Sequence, residues 1–376
     1  MVSVNKYYSY TVGNLPIGCR HCVRGEKLVL FVTGKCPRRC YFCPVSDKKF
    51  GQDFVFANER IAESEGDVLL EAELMNAKGA GITGGDPLMR IERTLSLIKR
   101  LKKKYGRKFH IHLYTSLNLV SGDSLKQLHN AGLDEIRFHL DLDSDRLWQR
   151  ILLAKKFDWD VGVELPIVPG KEKELKRVID FIHDKADFLN LNELEVADNR
   201  QSNLLEMGFI PKDRLSYAVK DSLQLGLKLL RYAKKYDMKV HLCTAKLKDA
   251  VQLSRRIKRE SKGVRRKFDI VDREGILTRG ALYLKELCPG FDYRKRLESI
   301  NKKRLIGKLK PKLQGIKKRL GLKDSEIHLD EIKPRILLSS KNAKKHKSYL
   351  MKLGLLPAIV KEYPTADQLE VEVEFL

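Results

Sequence analysis

Long apolar segments are missing from this sequence of 376 residues. It contains no run of eighteen apolar residues, which excludes a membrane-spanning helix. The first residues, MVSVNKYYSYTVGNLPIGC, lack the charged start and the long apolar stretch of a secretory signal peptide, so we expect a cytoplasmic protein. In that compartment the seven cysteines are not expected to form disulfides, and metal binding or catalysis is the better interpretation.

Acidic residues are also scarce relative to basic ones, with 49 Asp and Glu against 74 Lys and Arg. The excess is concentrated in residues 252–268, which hold eight basic residues and one Glu, and in residues 301–320, which hold nine and no acid. A heat-adapted surface would also be rich in Lys, but Glu normally rises with it. We therefore expect a polyanion such as RNA to dock here, because phosphates release counterions when basic side chains replace them. The candidate contacts are Arg255, Arg256, Lys258, Arg259, Arg265 and Arg266.

Strand and helix patterns alternate regularly before residue 246. The predicted strands are 27–34, 79–85, 108–116, 134–142, 160–170, 188–198 and 239–245. The predicted helices between them are 60–77, 91–106, 121–132, 146–157, 173–186 and 214–237. This alternation predicts an α/β fold with a parallel sheet and outer helices, namely a partial or complete βα (TIM-like) barrel. The chemistry of such a barrel lies at the carboxyl ends of its strands.

The pattern changes after the last of these strands. A basic helical stretch is followed by a predicted hairpin around Arg273, Glu274 and Gly275, and then by a small α+β unit. We therefore expect four regions. They are a lead segment with a C-x2-C pair (1–27), the barrel (28–245), a basic post-barrel region (246–300) and a small basic α+β domain (301–376).

The segment KCPRRCYFCP, residues 35–44, places three cysteines directly after the first predicted strand. Cys36, Cys40 and Cys43 have the spacing C-x3-C-x2-C, so their thiolates can share one metal centre. A [4Fe–4S] cluster held by three thiolates keeps one iron open for a ligand. The alternative is a structural zinc ion completed by a fourth, distant cysteine.

This motif, with Phe42 before the third cysteine, resembles that of the radical S-adenosylmethionine (radical SAM) superfamily. The chain is most similar to an archaeal group related to pyruvate formate-lyase activating enzyme. The resemblance implies that the open iron chelates S-adenosylmethionine, and that one electron from the cluster cleaves a C–S bond to yield a 5′-deoxyadenosyl radical. It further implies Phe42 as a residue of the cofactor site, an oxygen-sensitive enzyme, and an electron donor such as a ferredoxin.

The segment GITGGDP, residues 81–87, is a second element of the resemblance. It is similar to the Gly-Gly-Glu-Pro segment of the superfamily, whose backbone meets the methionine amino group. Glycine at positions 84 and 85 would let the backbone approach a ligand closely. Asp86 stands where the family usually has Glu, and Pro87 follows it. The resemblance therefore implies that Gly84, Gly85, Asp86 and Pro87 bind the cofactor.

Further cofactor contacts are implied at the ends of later strands. The segment GVELPIVPG, residues 162–170, resembles the fifth-strand segment that flanks the adenine, which places Val168 at the cofactor, although a buried strand with a turn would have the same pattern. Thr115, Ser116 and Asp141 stand where relatives contact the methionine or the ribose.

The other four cysteines offer a second metal centre. Cys19 and Cys22 form a C-x2-C pair, and with Cys243 and Cys288 they make the four thiolates of a structural zinc site or a second [4Fe–4S] cluster. The alternative is that Cys243 is a buried apolar residue and Cys288 has no such role.

Two carboxylates at the end of the sixth predicted strand are candidate catalytic residues. Strand alternation places Glu193 and Glu195 on one face. If that face points inward, they can bind ribose hydroxyls or a cationic substrate; if it points outward, they are a solvated strand edge.

Three functions follow from these features. The first is a radical SAM enzyme that modifies an RNA, most simply tRNA, docked on the basic residues. The second is an activase for a glycyl-radical enzyme, or another peptide-modifying radical SAM enzyme. The third is a non-catalytic RNA-binding protein whose cysteines hold zinc.

Overall fold

The computed structural model describes residues 4–376. They form two compact units, which divide between Arg256 and Ile257. Among these residues, no helix combines the length and the apolar character that crossing a bilayer requires.

The first unit is built on a mixed sheet, to which residues 4–256 contribute ten strands. The strands are β1 (Tyr10–Val12), β2 (Lys27–Phe31), β3 (Phe56–Ala57), β4 (Arg60–Ile61), β5 (Gly79–Thr83), β6 (His110–Ser116), β7 (Glu135–His139), β8 (Asp160–Ile167), β9 (Phe188–Glu193) and β10 (Lys239–Cys243). Parallel pairing joins β2, β5, β6, β7, β8, β9 and β10 in that order. All seven strands predicted from the sequence are therefore confirmed.

The edges of this sheet are antiparallel. Strand β1 pairs with β10 at one edge, while β3 pairs with β2 and β4 with β3 at the other. Within the described chain the hydrogen-bonded order runs from β1 to β4 without returning to β1. The unit is thus a partial βα barrel, with its seven parallel strands presenting their carboxyl ends on one side.

Helices lie between the parallel strands, before the first of them and after the last. They are α1 (Ile17–Cys22), α2 (Glu65–Leu74), α3 (Ile91–Tyr105), α4 (Gly122–Ala131), α5 (Ile151–Ala154), α6 (Glu172–Ile182), α7 (Ser222–Ala233), α8 (Ala245–Leu247) and α9 (Ser254–Val264). Pro87–Arg90 and Trp148–Arg150 are single 3₁₀ turns, and Lys248–Leu253 is a π-helical turn. The predicted ends of α4 are confirmed, because the Ser121 side chain accepts a bond from the Ser124 amide and Gly132 ends the helix with φ of 99°.

Three predicted helices are much shorter than expected. Helix α2 begins only after Ser64, whose side chain caps it, because residues 60–61 pair as β4. Helix α7 begins at residue 222, since Ala218 bridges to Glu195 and Val219 to Pro211. The helix predicted at 146–157 is a 3₁₀ turn followed by the one-turn α5. Strand pairing and isolated bridges override helical periodicity in the first two cases.

The interior of the partial barrel is polar. Arg137 on β7 is 1% exposed, and its guanidinium donates to Glu135 Oε1 at 2.5 Å, Glu164 Oε2 at 2.9 Å and Tyr114 Oη at 3.1 Å. Helix α1 lies against the amino end of β7, where the Gly18 amide donates to Glu135 Oε2 at 3.0 Å. Opposite charges thus offset each other inside the barrel, which makes a buried guanidinium tolerable.

His241 on β10 belongs to this interior and makes the fold sensitive to acid. Its Nδ1 lies 2.7 Å from Asn190 Oδ1 and its Nε2 3.2 Å from Ser9 Oγ. Burial, with a further contribution from Arg137, lowers the pKa of His241 from 6.5 to about 3. Between these values the unfolded chain binds a proton that the folded chain does not, so this residue destabilises the fold as pH falls below about 6.5.

Replacing His241 by Gln should remove that proton difference. The free energy of unfolding of His241→Gln is expected to fall less steeply between pH 6 and pH 4, by roughly 1.4 kcal/mol per pH unit. Urea unfolding at several pH values measures both slopes. Parallel pH profiles of the variant and the wild type would contradict a buried neutral imidazole.

The second unit is an antiparallel sheet covered by helices. Its strands are β11 (Ile270–Val271), β12 (Leu277–Leu284), β13 (Ile327–Asp330), β14 (Arg335–Leu338), β15 (Leu355–Glu362) and β16 (Glu370–Phe375). The order is β13, β14, β12, β15, β16, with β11 paired to β12. Its helices are α10 (Tyr293–Ser299), α11 (Lys302–Leu320), α12 (Ser340–Lys345) and α13 (Lys347–Lys352). Helices α11, α12 and α13 pack with the sheet in one hydrophobic core, to which they contribute Leu305, Leu309, Ala343 and Leu350.

The division of the chain differs from the one expected. The predicted hairpin is present, since β11 and β12 pair around a turn in which Gly275 has φ of 87°. Strand β12 also pairs with β14 and β15, so residues 257–300 share one sheet with residues 301–376. The amphipathic patterns of the separate strands do not show which of them pair.

Candidate active site

A cavity of about 690 Å³ lies at the carboxyl ends of the parallel strands. Its volume is within the range of ligand sites. Ten of the predicted site residues line it, and they are Cys36, Cys40, Phe42, Cys43, Gly84, Gly85, Thr115, Ser116, Glu193 and Glu195. Residues that are as far apart as 159 positions in the sequence therefore meet in one place.

The three cysteines lie on the cysteine loop, which we define as residues 35–53. The loop is closed at its base, because Gly34 donates to Gln52 O at 2.7 Å and Gly51 donates to Gly34 O at 2.9 Å. A Cβ atom on Gly34 would lie 1.7 Å from Lys49 O, so only glycine fits at this crossing.

Asp53 holds the end of the cysteine loop. It accepts bonds from Arg90 and Arg93 at 2.8 Å each and from the Thr33 hydroxyl at 2.9 Å. Burial works against the charged carboxylate, but these three bonds outweigh it and hold the pKa of Asp53 well below its usual range. The loop therefore has an ionic anchor on the first turns after β5.

The donor set of this loop fits a thiolate-bound cluster. Cys36, Cys40 and Cys43 are all half-buried and face the cavity. Burial raises the pKa of all three thiols, that of Cys36 to about 11, so a cation must replace their protons for them to act as thiolate ligands. Across residues 4–376, no three His, Cys, Asp or Glu side chains already converge on a metal position. Three ligands on one loop can converge without a change in the barrel.

The Gly-Gly turn is packed against the base of the cysteine loop. Gly85 donates to Thr33 O at 2.7 Å, and Asp86 donates its amide to Lys35 O at 2.9 Å. A Cβ atom on Gly84 would lie 2.5 Å from Thr33 O, and one on Gly85 would lie 2.4 Å from Lys35 O. The glycines are thus required for contact with the neighbouring backbone as well as for facing the cavity.

Asp86 acts behind the cavity wall. Its carboxylate is 1% exposed and accepts bonds from the Thr115 and Ser116 hydroxyls at 2.7 Å each, and from the Ser116 and Leu88 amides. Burial raises the pKa of Asp86, although these bonds oppose the rise. Pro87 is buried beside it. The carboxylate therefore joins the end of β5 to the end of β6.

The aromatic residue before the third cysteine lies in the cavity, as does a histidine that the sequence did not single out. The ring centroids of Phe42 and His139 are 5.6 Å apart. Burial lowers the pKa of His139 to about 3, with Arg38 adding to the effect. Strand alternation from Glu135 and Arg137 would have indicated that His139 faces inward.

Asp141 and Val168 lie outside the main cavity. Asp141 is paired with Arg38, with 3.4 Å between Oδ2 and Nη2, and lines a smaller neighbouring cavity of about 280 Å³. Val168 is 1% exposed in the core after β8, whereas Leu165 and Pro166 of the same strand face the cavity.

The two candidate catalytic carboxylates face the cavity but are already engaged. Glu193 Oε2 accepts a bond from the Ala245 amide at 2.8 Å, and Glu195 forms an ion pair with Lys248. Glu193 therefore holds the first turn after β10, and the Glu195–Lys248 pair lies in the cavity wall.

Polar residues that sequence reasoning missed complete the wall. Glu164 accepts bonds from Arg137, from Asn190 and from Asn192 at 2.9 Å each. The alternation of side chains along β7, β8 and β9 would have indicated that these residues face inward, because each lies two positions from another inward-facing residue.

The remaining cysteines are placed apart from the cysteine loop. Cys19 is buried with its Sγ 3.4 Å from Arg137 Nη2, and burial raises the pKa of its thiol despite that cation. Cys22 is on the same helix, and Cys243 packs with Val23, Leu247 and Val251. Cys288 packs against the sheet of the second unit. A second metal centre formed by these four cysteines stays a prediction.

The predicted nucleic-acid contacts are partly engaged with protein groups. Arg256 is 7% exposed and forms an ion pair with Glu59 at 2.6 Å, and Arg255 donates to Val23 O. Arg265 and Arg266 are exposed, while Lys258 and Arg259 are half-buried. The first two residues are therefore held by the barrel unit.

Comparison with known proteins adds to this geometry. The sequence profile of the Radical SAM superfamily matches residues 30–182. A protein of Methanocaldococcus jannaschii named "Putative glycyl-radical enzyme activating enzyme" is 38% identical over 288 residues, which are 74% of this chain and 76% of that protein.

Two solved structures match part of this chain. Methylornithine synthase is 14% identical with a TM-score of 0.38, over 56% of this chain and 66% of that chain. The radical S-adenosylmethionine methyltransferase TsrM of Kitasatospora setae, bound to tryptophan and aza-SAM, is 13% identical with a TM-score of 0.34. That match covers 46% of this chain, which spans 37% of the methyltransferase.

Proposed function

This chain belongs to the radical SAM superfamily, and we propose that it is an activase that removes a hydrogen atom from a glycine of a partner protein. Membership of the superfamily implies a [4Fe–4S] cluster and S-adenosylmethionine, which together supply a 5′-deoxyadenosyl radical and methionine when one electron is delivered. We propose Cys36, Cys40 and Cys43 as the cluster ligands, and the backbone of Gly84 and Gly85 as the part of the wall that faces the methionine.

The proposed reaction balances in atoms and electrons. A reduced carrier of the ferredoxin class would supply one electron, and the C–S bond of the sulfonium would cleave. The glycine Cα would give up a hydrogen atom to the adenosyl carbon, so the products would be 5′-deoxyadenosine, methionine and a glycyl radical on the partner.

The charge balance of the cavity is the observation on which we base the proposal of a peptide substrate. Of the four cations among its described lining residues, three are paired with carboxylates. The pairs are Arg38 with Asp141, Arg137 with Glu164, and Lys248 with Glu195. The fourth, Lys49, lies 4.1 Å from the ring centroid of Phe56. A phosphate-bearing nucleotide would have to break these pairs, whereas a neutral peptide segment can use their remaining donors and acceptors.

The name of the Methanocaldococcus relative supports the same substrate class. A glycine has no side chain, so it can approach a cavity that also holds S-adenosylmethionine. A protein loop is therefore a substrate that the cavity can admit.

RNA modification is the second candidate, and the helices of the second unit favour it. Helices α11, α12 and α13 pack on one sheet core, and none of the three contains an acidic residue. Glu286 and Asp324 pair with only three of the nine cations of α11. The exposed lysines of this face suit a phosphate backbone.

Deuterium transfer distinguishes the two substrates. Reduced, cluster-loaded protein is incubated with S-adenosylmethionine and a peptide pool that carries a central glycine deuterated at Cα. We expect deuterium in the 5′-deoxyadenosine and a glycyl radical signal in electron paramagnetic resonance (EPR), and no transfer from a pool with deuterated alanine at that position. Transfer from neither pool, with stimulation of S-adenosylmethionine cleavage by tRNA at low salt, would replace the peptide proposal by the RNA one.

A variant of the cavity wall gives the matched control. Glu195→Gln breaks the pair with Lys248 while keeping the size of the side chain. It is expected to lower deuterium transfer by about tenfold or more and to leave cleavage of S-adenosylmethionine without peptide within about twofold. Equal losses of both rates would place Glu195 at the cofactor instead of the substrate.

A further inference from the structure

We propose that Asn199 is a positioning residue for the cysteine loop, acting through the backbone next to Cys43. Asn199 lies in the segment that follows β9, which we define as the crossing segment, residues 194–203. This segment leaves the wall that carries Glu195 and reaches the cysteine loop. The proposal goes beyond the substrate question, because it concerns the loop that carries the cluster ligands.

A single side chain makes the connection. Asn199 Nδ2 donates to Cys43 O at 3.1 Å and to Val45 O at 3.0 Å. Its Oδ1 accepts from the Gln201 amide at 3.0 Å and the Ser202 amide at 2.8 Å. Both donors and the acceptor of the amide are therefore in use, which Asp cannot reproduce because an ionised carboxylate only accepts.

Backbone contacts on either side of Cys43 support the same connection. Asn203 donates its amide to Tyr41 O at 2.7 Å, and Ser202 forms an isolated bridge with Phe42. The Arg200 amide donates to Asp47 Oδ1 at 3.0 Å. Leu204, which follows directly, is fully buried in the barrel core. The crossing segment is therefore anchored in the barrel and holds the cysteine loop from residue 41 to residue 47.

This arrangement gives Asn199 a specific effect on the metal centre. Hydrogen bonds around the ligands of an iron–sulfur cluster set its reduction potential and the orientation of the ligands. The Asn199 side chain holds the carbonyl groups of Cys43 and Val45, so its loss removes two bonds beside the proposed third ligand without touching a thiol. Asn203 offers a matched comparison, because it is exposed and its contact with the loop is made by the backbone.

The experiment compares four variants prepared and loaded in the same way: Asn199→Ala, Asn199→Asp, Asn203→Ala and Asn203→Asp. The rate of iron loss to a chelator, the EPR spectrum of the reduced cluster with and without S-adenosylmethionine, and the midpoint potential are measured. Both Asn199 variants are expected to lose iron about tenfold faster than their Asn203 counterparts. Asn199→Asp should also have a more negative midpoint potential than Asn203→Asp, because its carboxylate places a negative charge next to the cluster, which disfavours reduction.

Several readouts keep the test decisive. If Asn199→Ala does not fold, Asn199→Asp retains the acceptor of the turn and decides the question. Iron loss, EPR spectra and potentials that match between the two positions would overturn the positioning role. The positioning role would also be overturned if the Asn199 apoproteins unfold at a lower midpoint while their cluster spectra and potentials stay unchanged. That result would show that Asn199 contributes to folding alone. None of these measurements requires the partner protein. A negative result for Asn199 is therefore distinguishable from a negative result for the proposed activase function.

Discussion

Replacing any one of Cys36, Cys40 and Cys43 by alanine is expected to reduce the formation of 5′-deoxyadenosine to the level of a mixture without enzyme. The physical reason is that a cubane bound by only two thiolates presents two open irons and is readily lost. The three side chains are half-buried on a loop, so each replacement should cost the apoprotein only about 1 kcal/mol or less of unfolding free energy. Product is measured by chromatography after anaerobic reduction with S-adenosylmethionine.

Cys288→Ala is the matched control, because it removes a half-buried thiol from the second unit. It should retain the cluster of the cysteine loop and the rate of cleavage within about twofold of the wild type. Retained cleavage in any of the three loop variants would sink the ligand assignment. A loss of iron in Cys288→Ala would instead indicate that this cysteine takes part in a metal centre.

Arg137→Met is expected to destabilise the barrel unit by about 3–5 kcal/mol. The guanidinium is buried between Glu135 and Glu164, so its removal leaves two carboxylates without their cation. Such a loss is a large fraction of the stability of a typical domain, which is about 5–15 kcal/mol. The free energy of unfolding of the apoprotein in urea measures the effect.

Two further variants make this prediction specific. Arg177→Met applies the same substitution at a site where half of the side chain is exposed and the guanidinium stacks 4.9 Å from Trp148, and it should cost no more than about 1 kcal/mol. The double variant Arg137→Met with Glu135→Gln should recover part of the lost stability, since one unpaired charge is removed. An Arg137→Met protein within 1 kcal/mol of the wild type would show that the barrel interior is more hydrated than the contacts indicate.

The interior network also explains why the carboxyl ends of the strands can serve as an active site. Arg137, Tyr114 and Glu164 belong both to the barrel interior and to the lining of the cavity. The groups whose charges offset each other inside the barrel therefore also form part of the cavity wall, and hydrogen bonds between such groups help to position a bound molecule.

Several features were predictable from the sequence because they are local. Three ligands within eight positions need no knowledge of distant contacts, and neither does the Gly-Gly turn that follows a strand. The seven parallel strands were recognisable because apolar runs and turn residues recur at a regular spacing. Family resemblance then implied the cofactor that we propose these elements bind.

Other features could not be predicted, because they depend on pairs of residues far apart in the chain. The Asn199 amide meets Cys43 across 156 positions, and Arg137 meets Cys19 across 118. The local sequence pattern around one residue of such a pair does not indicate which distant residue it contacts. Basic residues show the same limitation, since Arg256 belongs to a charged stretch but is buried against Glu59.

The sequence by itself determined the βα order and the family, and it predicted the metal ligands. The tertiary structure decided which polar groups face the cavity, which charges are already paired, and how the crossing segment holds the cysteine loop. The physical reason is that spacing and periodicity are properties of short segments, whereas charge balance and hydrogen bonding inside a barrel arise only when distant strands are brought together.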